Sequence, residues 1–577
     1  GDQVLTIASG GQLTIAAGNT IYATQVDCRG KLELAGTAAE PCLIGAAPGS
    51  TTGGAWEGLL LYPGSVGSFS HIFLAYAGTG LTADGATLSL QSSTIESCEY
   101  DGVRVTGASA VTIADTIFRG NGRCGLRLEG SGMTGTVQGC QFLTNGSYPL
   151  WALAANVRCV QGGNVYTGNA VQRIGVSCGG TPDLSSGDHA WVKQSLPLDC
   201  GVNPTGGVLN VGSGAALTIP AGVTIHLAGL DVSGRLTVAG SASEPCLFLP
   251  TGDSAAPGAW SGLRYLGGTG RLTGAIVRYG ANGLSLLNAS PAISDCAFCD
   301  SQYDGMACTG ASAPVVTRTG FVGNGRHGVY VADTAQPNLG NIGNAAVDDD
   351  GQNSLSGNGG YEIYNGTTGD IRAQNCTWSS TDVAVIGNRI YDHADLSSRG
   401  TVIFQPIQTT PTGTAPVLSW TGGTGYADDG VEPTVVTPGN TSWFRVKYTD
   451  AQGDAPRYVR LYVLDGTTPV DGSPFSMALV GSATYADGAV FARDVALPVG
   501  RNYCYWFAAA DATQAATGAP TAPQSGPIVN TAPTLTYSTE SGYGADGVAP
   551  NTGPAGTAFV FRCVYTDADG DEPAAVR

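Results

Sequence analysis

Two stretches of this chain, 204 positions apart, carry the same landmarks. Residues 30–59 read GKLELAGTAAEPCLIGAAPGSTTGGAWEGL, and residues 234–263 read GRLTVAGSASEPCLFLPTGDSAAPGAWSGL. Glu40 and Glu244, Cys42 and Cys246, and Trp56 and Trp260 all keep that single offset. Inside each copy runs a finer repeat of 22 or 23 residues, since Phe298 precedes Phe321, and Gly305 precedes Gly328, by 23. Phe118-Arg-Gly-Asn-Gly-Arg-Cys-Gly-Leu-Arg-Leu128 matches Phe321-Val-Gly-Asn-Gly-Arg-His-Gly-Val-Tyr-Val331, and Leu355-Ser-Gly-Asn-Gly-Gly-Tyr-Glu-Ile363 is a further copy. A unit this short holds two or three brief strands and no helix. It cannot bury a core alone, and it gains one only by stacking on its neighbours.

The pattern within each unit specifies how it stacks. Leu126/Leu128 and Val329/Val331 alternate with polar or outward residues, the period-2 signature of a strand with one buried face. Asn and Gly at the corner are expected to supply the positive φ needed between strands. Parallel connections wind right-handed by default. The reading is all-β: two tandem right-handed parallel β-helix sections at residues 1–193 and 194–408, the second ending in a cap. Asp382 reads as the N-cap of a short helix, with Val383, Ile386 and Ile390 on one side of it to close the stack.

Composition agrees with many short strands. Gly accounts for 87 of 577 residues and charged residues for 12%, yet hydrophobic residues still make up 42%, enough for a core. The formal charge of −19, with Lys only at Lys31, Lys193 and Lys447, repels nucleic acid. No run of apolar residues is long enough to span a membrane. Fifteen cysteines point to disulfides in an oxidising compartment, hence to a secreted protein. The absence of an initiator Met gives the N-terminus the look of a mature or internal one.

Beyond Pro406 a Thr/Pro/Gly linker leads into a second repeat type with a step of 117: Ala415-Pro-Val-Leu-Ser-Trp420 against Ala532-Pro-Thr-Leu-Thr-Tyr537, and Tyr448-Thr-Asp450 against Tyr565-Thr-Asp567. Alternating strands such as Trp443–Tyr448 and Tyr503–Phe507 suggest an antiparallel sandwich over 409–530 and a partial second one over 531–577. The second copy stops at Arg577, equivalent to Arg460, so the chain is expected to continue.

GRLTVAGSASEPCLF, AWSGLRYL and AIVRYGANGLSL resemble the right-handed β-helix repeats of large secreted bacterial proteins, and the segment Asn375–His393 with Gly400–Pro406 resembles their closing segment. The C-terminal repeats resemble the immunoglobulin-like modules strung along bacterial surface proteins. The resemblance implies a fold shared by enzymes, adhesins and structural fibres.

Candidate chemistry is sparse. Asp450-Ala-Gln-Gly-Asp454 and Asp567-Ala-Asp569-Gly-Asp571 place carboxylates across a glycine turn, an arrangement suited to calcium. Cys296 and Cys299 read as members of a structural disulfide. Trp56 and Trp260 read as packing residues and not as sugar platforms. Sequons occur at Asn145, Asn288, Asn365, Asn375 and Asn440. For carbohydrate chemistry the best set is Asp300, Asp304, Arg326 and His327 on neighbouring rungs, with Asp101 and Arg123 as first-copy counterparts.

The expected function is an extracellular stalk, fibre or adhesin segment on the bacterial surface, non-enzymatic, whose partners are further copies of itself or surface glycans. The alternative is a polysaccharide lyase or glycoside hydrolase with a β-helical catalytic domain.

Overall fold

The computed structural model describes residues 3–573 except 181, 203–206, 242–243, 254–255, 409–413, 427, 467, 482–483, 499–502, 512–513 and 569–571. It divides into two units, Gly1–Pro411 and Thr412–Arg577.

The first unit is a parallel β-solenoid. Strands one rung apart pair in parallel and in register, as in Leu126↔Leu150 and Val329↔Ile363. Among the described residues one sheet of 16 strands runs the whole unit, from Val4–Ile7 to Thr377–Trp378. Sheets of six and seven strands complete the first copy, and a 13-stranded sheet completes the second. Alternate side chains point inward, so equivalent residues stack into ladders: Phe118 on Phe142 at 5.0 Å, Phe142 on Tyr166 at 5.3 Å, Phe298 on Phe321 at 5.7 Å. A single buried cluster spans from Ile7 to Val402. The two sequence copies therefore share one core.

They do not share one orientation. Leu126–Leu128, which follows the Asn121 corner, lies in the 16-stranded sheet, whereas its equivalent Val329–Val331 lies in the 13-stranded one. Ile117–Arg119 lies in the seven-stranded sheet, and its equivalent Gly320–Val322 in the 16-stranded sheet. The second copy is turned by one face. The change occurs where Leu198–Asp199 pairs with Ile174–Gly175 on one side and Ile225–His226 on the other.

The Gly-Asn-Gly corner works differently from the expectation. The preceding glycine takes the left-handed conformation (Gly120 φ 61°, Gly323 φ 69°), and Asp300 does so in the matching corner at φ 56°. The asparagine turns inward. Asn121 donates through Nδ2 to Asn145 Oδ1 at 3.0 Å, Asn145 to Asn169 at 2.8 Å, and Asn324 to Asn358 at 2.9 Å. Each Oδ1 also accepts a main-chain N–H from the rung below, as from Asn121 at 3.2 Å and Asn324 at 3.0 Å. These buried amides satisfy corner groups that strand pairing leaves over. Two sequons fall on this inward chemistry or its like, since Asn145 and Asn365 are both buried and so are closed to glycosylation.

Where disulfides were expected, Cys42, Cys246, Cys296, Cys308 and Cys376 are free, buried thiols. Cys42 and Cys246 are single thiols at equivalent inward positions, donating to Ala16 O at 3.3 Å and Pro220 O at 3.1 Å. Cys296 likewise donates to Ser294 O at 3.2 Å. Burial pushes the Cys296, Cys308 and Cys376 thiols up to about 12, which leaves them unreactive. They act as small apolar ladder residues. Trp56 and Trp260 are packing residues as expected, each buried with Nε1 donating to a carbonyl, of Ala75 at 2.8 Å and Arg278 at 2.6 Å.

The cap helix is short, Val383–Gly387, with the Asp382 carboxylate accepting from the Ala384 N–H at 2.8 Å. Ile386 and Ile390 are buried on the last rungs, but Val383 is 41% exposed. Five residues make barely more than one turn, too little to bring Val383 over the core.

The second unit is antiparallel. Thr441–Thr449 pairs with Ala489–Ala496 in one sheet, and Tyr458–Asp465 with Tyr503–Ala510 in another. Phe444, Val446, Leu461, Val463, Tyr505 and Phe507 fill the space between them. Residues 534–566 form two small antiparallel pairs.

Truncating one ladder residue tests the nearest-neighbour character of the column. Leu263→Ala should cost about 2–5 kcal/mol, seen as a lower midpoint in urea. Hydrogen exchange should stay unchanged in rungs far from it.

Candidate functional site

The period of 2 that sends Val329 and Val331 inward sends Tyr330 outward. The next two rungs repeat the arrangement with Tyr364 and Tyr391. In-register pairing sets Tyr330 opposite Tyr364 and Tyr364 opposite Tyr391. The rings stack at 5.3 and 4.5 Å, nearly parallel at 18° and 4°. The rung spacing of about 4.8 Å is close to the separation that stacked rings adopt, so the backbone builds the ladder. Tyr361, in the corner before Tyr364, lies tilted 5.5 Å from Tyr391, and Tyr303, two rungs back, is 47% exposed.

Three of the four residues expected for carbohydrate chemistry border this platform. The Arg326 guanidinium lies 5.0 Å from the Tyr330 ring and 5.6 Å from that of Tyr303. Asp304 is fully buried and holds Arg326 in a two-pronged ion pair, Nε to Oδ1 at 2.9 Å, while accepting the His327 N–H at 3.2 Å. The His327 ring stacks on Tyr364 at 5.0 Å and Tyr361 at 5.8 Å. Its Nδ1 accepts the Tyr361 N–H at 3.0 Å. Asp300 is elsewhere, in its left-handed corner, 3.4 Å from Arg278 Nε. With Asp304 buried and its oxygens engaged, the set is a support for the tyrosines and not a pair of accessible carboxylates.

A further carboxyl that the sequence did not single out lies beneath the platform. Glu362 is buried between Asn358 and Arg389, hydrogen bonded to both. Burial pushes it above the usual carboxylate range, against the pull of Asn358 and Arg389. The tyrosines were also missed. Their signal was present in the sequence: an aromatic at the outward centre of consecutive rungs.

The metal expectation concerns the second unit. Asp450 is fully buried; Oδ1 accepts from the Gln452 and Asp454 N–H groups at 2.9 and 3.0 Å, and Oδ2 is buried without a hydrogen-bond partner. Asp567 Oδ2 accepts from the Tyr565 hydroxyl at 3.4 Å. Asp569 and Asp571 lie outside the described residues. Among the described residues no group of three or more His, Cys, Asp or Glu side chains is arranged to hold a metal ion.

Residues 57–181 match the family model described as a right handed beta helix region. No curated protein matches the chain. Among solved structures it is similar to a point mutant of the tailspike protein of E. coli bacteriophage HK620 in complex with a pentasaccharide, at 11% identity over 86% of each chain with a TM-score of 0.17. A likeness of that size transfers neither a site nor a reaction. The expectation of a non-enzymatic chain is withdrawn, since a right-handed β-helix is a fold that enzymes and structural proteins share and gives it no ground. Among the described residues no helix is long and apolar enough to cross a membrane.

Burial, partly opposed by Asp304 and reinforced by Arg326 and Arg389, holds His327 below its ordinary 6.5. The folded state thus favours the neutral ring, so its contribution to stability is present above pH 6.5 and is lost as the pH falls below that value. Protection of the Tyr361 amide against hydrogen exchange should drop over that range, and His327→Gln should abolish the pH dependence.

Proposed function

We propose that the solenoid is an extracellular polysaccharide-binding protein whose sugar platform is the Tyr330–Tyr364–Tyr391 ladder. The observation that carries this reading is the in-register stack of half-buried rings, edged by Arg326 and Tyr303. Because the rings cover one another's faces, the column presents ring edges and hydroxyls at the rung pitch, and these hydroxyls with the guanidinium offer hydrogen bonds to successive sugar hydroxyls. Binding should appear in a screen of neutral polysaccharides against the purified protein. Tyr364→Ala should weaken it about tenfold, the equivalent of roughly 1.4 kcal/mol. Unchanged affinity in that variant overturns the reading.

Cleavage of the bound glycan, by hydrolysis or elimination, is the second reading. It is favoured by Glu362, next in sequence to Tyr361, whose carboxyl burial raises in the direction a general acid needs, and it requires the Asn358 and Arg389 contacts that enclose that carboxyl to part when glycan binds. Release of new chain ends from a bound polysaccharide, lost in Glu362→Gln, is the expected result; a ligand recovered intact limits the function to binding. The stalk or adhesin role draws support from the continuous core, which makes a stiff support for such a platform.

For the second unit we propose immunoglobulin-like modules that take calcium at Asp450–Asp454, supported by the buried, unpartnered Asp450 Oδ2. Calcium in tenfold excess over its Kd should stabilise the unit by roughly 1.4 kcal/mol. A calcium-dependent rise in melting temperature that Asp450→Asn removes is the expected outcome, and an unchanged transition rules the site out.

A further inference from the structure

The first copy carries its own outward aromatic patch, and its chemistry differs. Counting from the buried asparagines gives the correspondence. Arg123 and Arg127 stand two and six positions after Asn121, as Arg326 and Tyr330 do after Asn324. Tyr148 and Trp151 stand three and six positions after Asn145, as Tyr361 and Tyr364 do after Asn358. Arg127 pairs in register with Trp151, and its guanidinium lies 4.4 Å from the indole. The outward position of the following rung is Gly175, opposite Trp151, which has no side chain to stack on the indole. A tyrosine ladder in one copy is therefore, in the other, a tryptophan beside arginines.

The arginines are not all neutralised. Glu129 binds two of them, Arg104 at 2.6 Å and Arg127 at 2.7 Å; burial opposes its ionisation, but the two guanidiniums hold it below the usual range. Arg123 is exposed, and among the described residues it makes no ion pair. Its counterpart Arg326 is held by Asp304. Here the equivalent carboxylate, Asp101, is buried and accepts the Cys124 N–H at 3.1 Å instead. Of the other neighbouring acids, Glu99 and Glu57 act on the Tyr100 hydroxyl, and Asp199, opposite Gly175, accepts from the Tyr148 hydroxyl at 3.3 Å and pairs with Arg173. In a chain of formal charge −19, Arg123 is an exposed guanidinium in the corner that leads into Arg127, whose own guanidinium lies over the half-buried Trp151 ring.

We propose that this patch binds an acidic sugar: Trp151 carries the pyranose ring, and Arg123 takes its carboxylate through the planar fork that matches a carboxylate in two hydrogen bonds. The site is separate from the tyrosine ladder. It lies eight strands earlier in the 16-stranded sheet, as Leu150–Leu153 stands before Ser354–Ser356, or roughly 40 Å at the usual rung spacing. The turn between the copies also places it on another face.

The proposal shares with the platform reading only the premise that outward rings bind sugars, and it fails independently. The full chain is titrated with polygalacturonate, alginate and polysialic acid. At least one should bind, with affinity falling as salt rises. Arg123→Gln and Trp151→Ala should each weaken that binding about tenfold, and Arg123→Lys should restore only part of it. Tyr364→Ala should leave it unchanged while lowering affinity for neutral polysaccharide. Arg123 is exposed, so Arg123→Gln reports on binding even if the tryptophan variant folds poorly. Failure of all three polyanions to bind overturns the assignment, as does binding indifferent to Arg123→Gln.

Discussion

Every feature of the first unit depends on one constraint: parallel pairing in register sets each residue directly over its counterpart one rung away. Inward, that makes apolar ladders such as Phe118–Phe142–Tyr166. At the corners it makes the amide ladder of Asn121, Asn145 and Asn169, which is directional because each Oδ1 accepts from the rung before it. Outward, it makes the stack of Tyr330, Tyr364 and Tyr391. The same geometry that removes polar groups from the core thus concentrates like side chains on the surface, and a surface of like rings at a regular pitch suits a ligand that is itself a polymer.

That constraint also explains which acids are available for chemistry. Asp304 and Glu362 belong to corners whose backbone needs acceptors, and each is drawn in and ringed by donors. Asp304 is spent on Arg326 and the His327 N–H. Glu362 has less compensation, and burial leaves its carboxyl high.

Much of the architecture was legible from the sequence because ladders demand repetition. The alternation in Leu126/Leu128 and Val329/Val331 gave the strands, the 23-residue step gave the rungs, and the Asp382 cap was identifiable from its position. What escaped is what repetition hides. A Gly-Asn-Gly string looks like a turn, and only the fold shows that the glycine turns while the asparagine is buried. Cysteines recurring at equivalent positions resemble a bridge framework, yet Cys42 and Cys246 recur because the ladder wants a small apolar side chain there. Of the site, Asp304, Arg326 and His327 were found through their charge. The tyrosines were passed over because each occurs alone in its own rung, and they become a surface only when rungs are superposed.

The turn of one face at Leu198–Asp199 has a bearing on how such a column diversifies. Had the second copy continued straight, its outward rows would have extended the first copy's rows, and a change in either would have altered one uninterrupted strip. Rotated, the copies look in different directions while the shared interior goes on undisturbed. One aspect of the coil can then exchange tyrosine for arginine and tryptophan without spoiling the other, which is the freedom a duplicated segment needs in order to acquire a second taste.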